Sequence, residues 1–190
     1  MLEADAPLIE ALRKRRTLRA FAPRGISLAK VAQLLWAAQG VTSPEGFRTA
    51  PSAGALYPLE LHLLAGDVEG LQAGSYRYNP KHHTLKAETL GDLRPALAQA
   101  ALNQDWIAQA PVIVVVGAVY SRTTGKYGRR GVRYVHMEVG HATQNLLLQA
   151  EAMGLRGATV GAFDGDLLQR LLRLSEEESP LAIVPIGYRR

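Results

Sequence analysis

The N-terminal part of the chain carries a cluster of cationic side chains that could bind an anion. Three guanidiniums and a hydroxyl, from Arg15, Arg16, Thr17 and Arg19, fall within five residues just past a predicted helix. Arginine makes bidentate, charge-assisted hydrogen bonds to phosphate, and these are stronger than neutral hydrogen bonds. On its own the cluster leaves three interpretations open: a phosphate site, a solvated basic helix end, or an arm that contacts DNA.

Two glycine-bearing segments could bring the backbone close to a flat ligand. The first is PSAG at residues 51–54, continued by ALYP, in which flanking prolines fix the entry and exit of the chain. The second is GLRGATVGAF at residues 154–163, after a long predicted helix. An ordinary Pro/Gly turn also explains the first segment. Helix capping explains Gly154 of the second, but it does not explain Gly157 and Gly161.

A third segment combines basic side chains with a tyrosine. No Asp or Glu occurs between Trp106 and Met137, whereas five basic residues do: Arg122, Lys126, Arg129, Arg130 and Arg133. The stretch SRTTGKYGRRG, which contains Lys126 and Tyr127, is predicted to be a loop. Such a positive region favours a nucleic acid or a small anion such as a phosphate ester, and a solvated basic surface remains the simpler alternative.

Several kinds of chemistry have no motif in this chain. There is no cysteine, which excludes disulfides, thiolate metal sites, thiol catalysis and a cysteinyl-linked flavin. The dinucleotide fingerprint, the Walker phosphate loop and the G-x-S-x-G elbow are missing. The five histidines do not have metal-ligand spacing, so no metal site is expected. Any redox chemistry would therefore need a bound cofactor.

The overall composition is that of a globular protein. The chain has 190 residues, 47% hydrophobic and 21% charged, with a net charge of +5. We expect one domain over residues 1–190. No apolar run reaches the roughly 18–20 residues of a bilayer span, and the N-terminus lacks a signal pattern. A soluble, cytoplasmic protein with no membrane partner is therefore expected.

Hydrophobic periodicity predicts helices and strands without regular βαβ alternation, which indicates an α+β sandwich. A first helix is predicted to open at Asp5 and Pro7, with Leu8, Ile9 and Leu12 on one face. Ser27 is predicted to cap a second helix, and Gly40 to end it. The remaining helices are predicted at residues 93–102, 132–153 and 167–172. Strands are predicted at residues 59–63, 76–78, 83–88, 112–120, 158–163 and 181–188; the first is expected to be half-buried, and the fifth could also be a turn.

In this order the motifs resemble the nitroreductase family. The shared features are an R-R-[ST]-x-R-x-F start, a P-S-A-G loop, a long central helix, and a G-L-x-G-x-x-x-G-A-F turn after it. Two further features resemble its SagB-type branch, the azoline dehydrogenases. One is FRTAPSAGALYPLE at residues 47–60. The other is KYGxRG at residues 126–131, followed by RY at residues 133–134 and GHxxQNL at residues 140–146.

The resemblance implies a nitroreductase-like α/β/α sandwich with a mixed, mainly antiparallel sheet. It also implies a homodimer with non-covalent FMN shared across the subunit interface. Arg15, Arg16 and Thr17 would bind the FMN phosphate, and Arg19 would lie at the pyrimidine edge of the ring. The remaining implied cofactor contacts are Pro51, Ser52, Ala53 and Gly54 from the other subunit, backbone groups of Val160 and Gly161, and Arg189 or Arg190 at the phosphate.

For the chemistry, the resemblance implies that Lys126 and Tyr127 handle protons at the substrate. The expected activity is hydride transfer between an organic substrate, small or peptidic, and FMN. A general nitro or quinone reductase that uses NAD(P)H is the alternative within enzymes. A basic nucleic-acid-binding domain is the alternative from another class, but the sequence lacks the aromatic platform or recognition helix such a domain uses.

Overall fold

The computed structural model describes residues 8–190, so the predicted helix start at Asp5 and Pro7 lies outside the described residues. The helices are α1 (Leu8–Lys14), α2 (Leu28–Gln39), α3 (Arg94–Ala100), α4 (Ser121–Tyr127), α5 (Arg130–Ala152) and α6 (Gly165–Leu171). The strands are β1 (Ile26–Ser27), β2 (Leu59–Ala65), β3 (Val68–Glu69), β4 (Gly74–Asn79), β5 (Thr84–Leu90), β6 (Val112–Val119), β7 (Arg156–Gly157) and β8 (Glu178–Gly187). Short 3-10 turns cover Ala53–Ala55 and Asp105–Gln109.

Six of the strands form one central sheet in the order β5-β4-β2-β6-β8-β7. Every neighbouring pair in this sheet is antiparallel. The parallel pairing is confined to a separate two-stranded sheet of β1 and β3. The expected α+β fold with a mainly antiparallel central sheet is therefore confirmed.

The apolar run of β6 shows how the layers are built. Successive side chains of a strand point to opposite faces of the sheet. Val112, Val114 and Val116 pack in the core on the side of α2 and α5, whereas Ile113 and Val115 pack with α3 and α6. Because both faces are covered, all eight residues of β6 are buried, and the strand reads as a continuous apolar run.

Capping and turn residues in the sequence predicted the positions of several helices and strands correctly. The Ser27 side chain accepts a hydrogen bond from the Lys30 N–H (3.4 Å), so it caps α2 as expected. Gly40 follows the last residue of α2. The strands predicted at residues 76–78 and 83–88 correspond to β4 and β5, which form a hairpin. In its turn the Asn79 side chain accepts hydrogen bonds from the backbone N–H groups of Lys81 and His82.

Two predictions, one for residues 121–131 and one for β2, are wrong. The stretch SRTTGKYGRRG is not a loop, because Ser121–Tyr127 forms α4 and Arg130 already begins α5. Only Gly128, at φ +56°, and Arg129 separate the two helices. The strand β2 is not half-buried either. His62, expected on its solvent side, is buried against Glu178 of β8.

The apolar residues of the segment 132–153 favour a buried helix over an amphipathic one, but α5 is buried along one side only. Val132 and Met137 remain exposed on it. Likewise the apolar residues Leu8, Ile9 and Leu12 of α1 are 66, 75 and 55% exposed. Among the described residues, no helix has the length and hydropathy needed to span a bilayer.

Candidate active site

The structure brings the cationic cluster next to the second glycine segment. The backbone N–H of Leu18 donates to the carbonyl of Gly157 (3.0 Å). Three residues further on, Phe21 forms an antiparallel bridge with Arg189, which follows β8. The N-terminal arginines, the turn after α5 and the C-terminal arginines therefore lie at one end of the sheet.

The cations of this cluster keep their charge available. Arg16 donates to the carbonyls of Arg13 (2.9 Å) and Arg15 (2.8 Å) and so supports the turn itself. The guanidinium of Arg19 lies 5.8 Å from the centre of the Trp106 ring. Within residues 8–190, no carboxylate pairs with the side chains of Arg15, Arg16, Arg19, Arg189 or Arg190. The cluster thus provides uncompensated positive charge and hydrogen-bond donors.

The turn after α5 uses its two expected ligand residues differently. Val160 donates its N–H to the carbonyl of Ile183 (2.8 Å) and accepts the Ile183 N–H (2.9 Å). The backbone groups of Val160 are therefore taken, which speaks against the expectation that they face a ligand. Gly161 is exposed, its N–H has no partner among the described residues, and nothing lies within 4 Å of the position of an added Cβ. Val160 anchors the turn, and Gly161 is left to offer its N–H.

The Lys–Tyr pair lies against the P-S-A-G loop of residues 51–54. A Cβ at Gly54 would lie 2.8 Å from the Tyr127 hydroxyl and 3.1 Å from Lys126 Nζ. Gly54 also has φ +65°, a conformation that favours glycine. The Tyr127 ring packs edge-on against Tyr134 of α5, with ring centres 5.2 Å apart. Two motifs about 70 residues apart in sequence thus meet at one place within a single protomer.

A buried carboxylate, which sequence analysis missed, holds this loop. Glu138 of α5 accepts the Ala53 N–H through Oε1 (2.9 Å) and hydrogen-bonds to the Ser52 side chain. Burial raises the pKa of Glu138, and these hydrogen bonds lower it by a smaller amount. The loop is strained, because Ala55 and Tyr57 adopt φ +54° and +47°. Strained backbone of this kind clusters at functional sites. The sequence offered one signal for this role, because Glu138 is the single acid among the buried residues of α5.

A second buried group, also missed, connects the sheet to α4. Glu178 accepts from His62 Nε2 (2.5 Å) and from the Arg77 guanidinium (3.0 Å). Burial would raise the pKa of Glu178, but the hydrogen bonds and charges of His62 and Arg77 outweigh it, and the pKa lies below its usual value. Arg77 also approaches Glu60 (3.7 Å), which accepts from Arg122 of α4 (2.6 Å). The network therefore ties the helix that carries Lys126 and Tyr127 to the sheet.

The two groups of candidate residues lie at opposite ends of the sheet. At one end of β6, Val112 pairs with Ile186, and Ile186 pairs with Gly157, beside the cationic cluster. At the other end, Ala118 pairs with Leu59, five residues after Gly54 of the P-S-A-G loop. The eight residues of β6 span about 24 Å. The strand pairing therefore places the two groups towards opposite ends of β6.

Known proteins match the chain over nearly its whole length. The model of the nitroreductase family matches residues 12–188. The protein MJ1384 of Methanocaldococcus jannaschii, assigned as a nitroreductase, is 43% identical over 183 residues, which cover 96% of this chain and 91% of that relative. A solved structure from Ralstonia eutropha, also assigned as a nitroreductase, superposes with a TM-score of 0.86 at 27% identity, over 100% of this chain and 87% of that one.

A more distant relative is a processing protein and is not called a nitroreductase. The microcin B17-processing protein McbC of Escherichia coli is 26% identical over 169 residues, which cover 85% of this chain and 62% of that relative. The family match and the 43% identity are far stronger than this likeness, and they agree with the fold. The chain therefore belongs to the nitroreductase family, a family of oxidoreductases, and this membership points to a flavin cofactor.

Proposed function

We propose that the protein is an FMN-dependent oxidoreductase, with residues 1–190 acting as one domain, and that each flavin site draws residues from two copies of the chain. The observation that carries the proposal is that the N-terminal arginine cluster lies beside the turn after α5, where the Leu18 N–H donates to the Gly157 carbonyl. The side chains of Arg15 and Thr17 and the N–H of Gly161 have no hydrogen-bond partner among the described residues. A phosphate ester attached to a flat, hydrogen-bonding ring matches this set of donors.

Each residue of this group has a role that its chemistry suits. Arg15, Arg16 and Thr17 would bind the phosphate, supplemented by Arg189 or Arg190. Arg19 would stabilise negative charge at the pyrimidine edge, and the Gly161 N–H would donate to the ring. When bound, FMN supplies reversible hydride transfer. With no cysteine in the chain, no cysteinyl linkage to the flavin can form.

The arrangement of the protomer supports a second copy. The P-S-A-G loop leads into β2 at one end of β6, and the cationic cluster lies beside the turn that pairs at the other end. A homodimer would bring the loop of one copy over the cluster of the other. The exposed apolar residues of α1, together with Val132 and Met137 of α5, supply a surface for that contact.

Lys126 and Tyr127 would then face the substrate and handle its proton. The ammonium group can donate a proton or, once deprotonated, accept one, and the phenol can relay or stabilise it. The similarity to McbC and to the trifolitoxin-processing protein TfxB of Rhizobium leguminosarum (27% identity over 132 residues, 67% of this chain and 35% of TfxB) favours a SagB-type dehydrogenase that acts on an organic or peptide substrate. The closer similarity to MJ1384 favours the alternative, a general nitro or quinone reductase that uses NAD(P)H.

The experiment that tests the proposal starts from the purified protein. Heat or acid should release a flavin that chromatography identifies as FMN, with one molecule per subunit. Anaerobic addition of NADH, NADPH and candidate organic substrates then shows which of them reduces the bound flavin. Release of FAD, or no flavin even after reconstitution with FMN, would rule the proposal out. Reduction by a nicotinamide alone would favour the reductase alternative.

We predict that the phosphate affinity is concentrated in the N-terminal cluster. Replacing Arg15 or Thr17 with Ala removes hydrogen bonds to a charged group, each worth roughly 1.5–3 kcal/mol. FMN should therefore bind about tenfold or more weakly, as measured by titration of the apoprotein. Arg13→Ala is the matched control, since Arg13 is exposed in the same segment and its side chain makes no hydrogen bond or ion pair within residues 8–190. Equal affinity in all three variants would contradict the assignment.

We also predict that two inactive variants restore each other. One variant lacks the phosphate cluster (Arg15, Arg16 and Thr17 to Ala), and the other carries Lys126→Ala. In a mixed dimer, one site would collect both defects and the other would be intact, so about half of the parental turnover per dimer should return. Differently tagged, co-expressed chains allow the mixed dimer to be isolated. If both groups of residues served the same subunit's flavin, no mixed dimer would contain an intact site.

A further inference from the structure

Three arginines follow the Lys126–Tyr127 pair and have no partner. Arg129, Arg130 and Arg133 are exposed and make no ion pair or side-chain hydrogen bond within the described part of the chain. They lie where α4 ends and α5 begins. We call these three residues the arginine corner.

The arginine corner is fixed to the elements that carry the pair. A Cβ at Gly131 would lie 2.9 Å from the backbone N and Cα of Thr124, so the two helices touch there. Arg133 precedes Tyr134, whose ring contacts Tyr127. The three arginines therefore lie within seven residues of Lys126 in sequence, on helices that contact each other.

Among residues 8–190, no neighbouring acid offsets this charge. Glu60 is already engaged by Arg122 (2.6 Å) and Arg77 (3.7 Å), and Glu138 is buried beneath the P-S-A-G loop. The first turn of α5 contains no acidic residue. Positive charge at the start of a helix also opposes the helix dipole, at a cost of roughly 0.3–1 kcal/mol for each residue. Mutual repulsion adds to this cost, so stability of the fold does not explain the arrangement.

We propose that the arginine corner selects substrates that carry negative charge, such as a carboxylate or a phosphate, close to the bond that is oxidised or reduced. This inference rests on the proposed function and names the substrate class of that same site. A surface that carries one sign of charge raises the local concentration and the association rate of oppositely charged ligands. At physiological ionic strength this attraction reaches about 8 Å, so it acts on charges next to the reacting bond.

The test compares two nitroaromatic probes of similar shape, 4-nitrobenzoate, which is anionic, and 4-nitrobenzamide, which is neutral. The holoprotein is reduced anaerobically with dithionite, and reoxidation of its flavin by each probe is followed by absorbance. In the variant with Arg129, Arg130 and Arg133 all changed to Gln, the second-order rate constant for 4-nitrobenzoate should fall by about tenfold. The rate constant for 4-nitrobenzamide should change by less than about twofold. In the parent, added salt should reduce the preference for the anion.

A control variant removes the same amount of charge elsewhere. Lys81, Arg170 and Arg173 are exposed in the β4–β5 turn and around α6, and changing all three to Gln alters the net charge equally. This control should keep the parental preference for 4-nitrobenzoate. Equal rates for both probes in the parent, or the same loss in both triple variants, would overturn the inference alone. A reduced flavin that neither probe reoxidises would also overturn the inference alone. A parent that binds no flavin would overturn the proposed function and this inference with it.

Discussion

Changing Lys126 to Ala, or Tyr127 to Phe, is expected to lower turnover by about 100-fold or more, the usual scale for losing a general acid or base. Flavin content should stay normal, because neither side chain belongs to the cationic cluster that is proposed to bind the phosphate. Tyr127→Phe keeps the ring that packs on Tyr134 and removes only the hydroxyl. A loss in this variant would therefore report on the proton and not on packing.

The measurement combines flavin content, from absorbance of the holoprotein, with turnover of whichever substrate reduces the flavin. Ser121→Ala, at the exposed start of the same helix, is the matched control and should behave as the parent. Normal turnover in both Lys126→Ala and Tyr127→Phe would show that the pair has no chemical role. Loss of flavin in either variant would instead place the side chain in cofactor binding.

Much of the fold could be predicted from local signals. Ser27 and Gly40 delimit α2, and Asn79 marks the hairpin, because capping and turn formation depend on a few consecutive residues. The apolar run of β6 correctly predicted a buried strand, because burial on both faces removes the alternation of a surface strand. The resemblance to the nitroreductases drew on motif order, which is likewise visible in the sequence alone.

The errors arise where distant contacts decide the outcome. His62 reads as the solvent-facing residue of β2, yet it is buried because Glu178, 116 residues away, accepts its hydrogen bond. The glycines and basic residues of Ser121–Tyr127 are typical of a loop, although only Gly128 and Arg129 separate the two helices. Val160 was expected to face a ligand, but its N–H and carbonyl bond to Ile183. None of these pairings leaves a periodic signal in the sequence.

The candidate site could be anticipated in its parts but not in its assembly. The sequence indicated an arginine cluster, a glycine turn, a P-S-A-G loop and a Lys–Tyr pair. It gave no indication that the loop contacts the pair within one protomer, or that the cluster lies at the opposite end of the sheet. The role of Glu138 as the anchor of the loop was equally hidden, since it depends on a contact with Ala53 across 85 residues.

Changing Glu178 to Ala is expected to lower the free energy of unfolding by about 3–5 kcal/mol, the range for removing one partner of a buried ion pair. The carboxylate is 1% exposed and accepts from both His62 and Arg77, and those donors would be left without it. A cavity would open beside Gly117, where a Cβ would lie 2.5 Å from Glu178 Oε1. The loss is best measured by urea unfolding of the flavin-free protein, because bound ligand raises the apparent stability.

The pH dependence follows from the sign of the pKa shift. The pKa of Glu178 is lower in the folded protein than its usual value of 4.5, so its ionised form stabilises the fold at higher pH. This contribution is fully present above pH 4.5 and is lost as the pH falls through the lower, folded-state pKa. Glu178→Gln should remove this part of the acid sensitivity. Glu177→Ala, at the exposed neighbouring position, should change stability by less than about 0.5 kcal/mol. If Glu178→Ala were no more destabilising than this control, the network would contribute nothing to holding α4 and the sheet together.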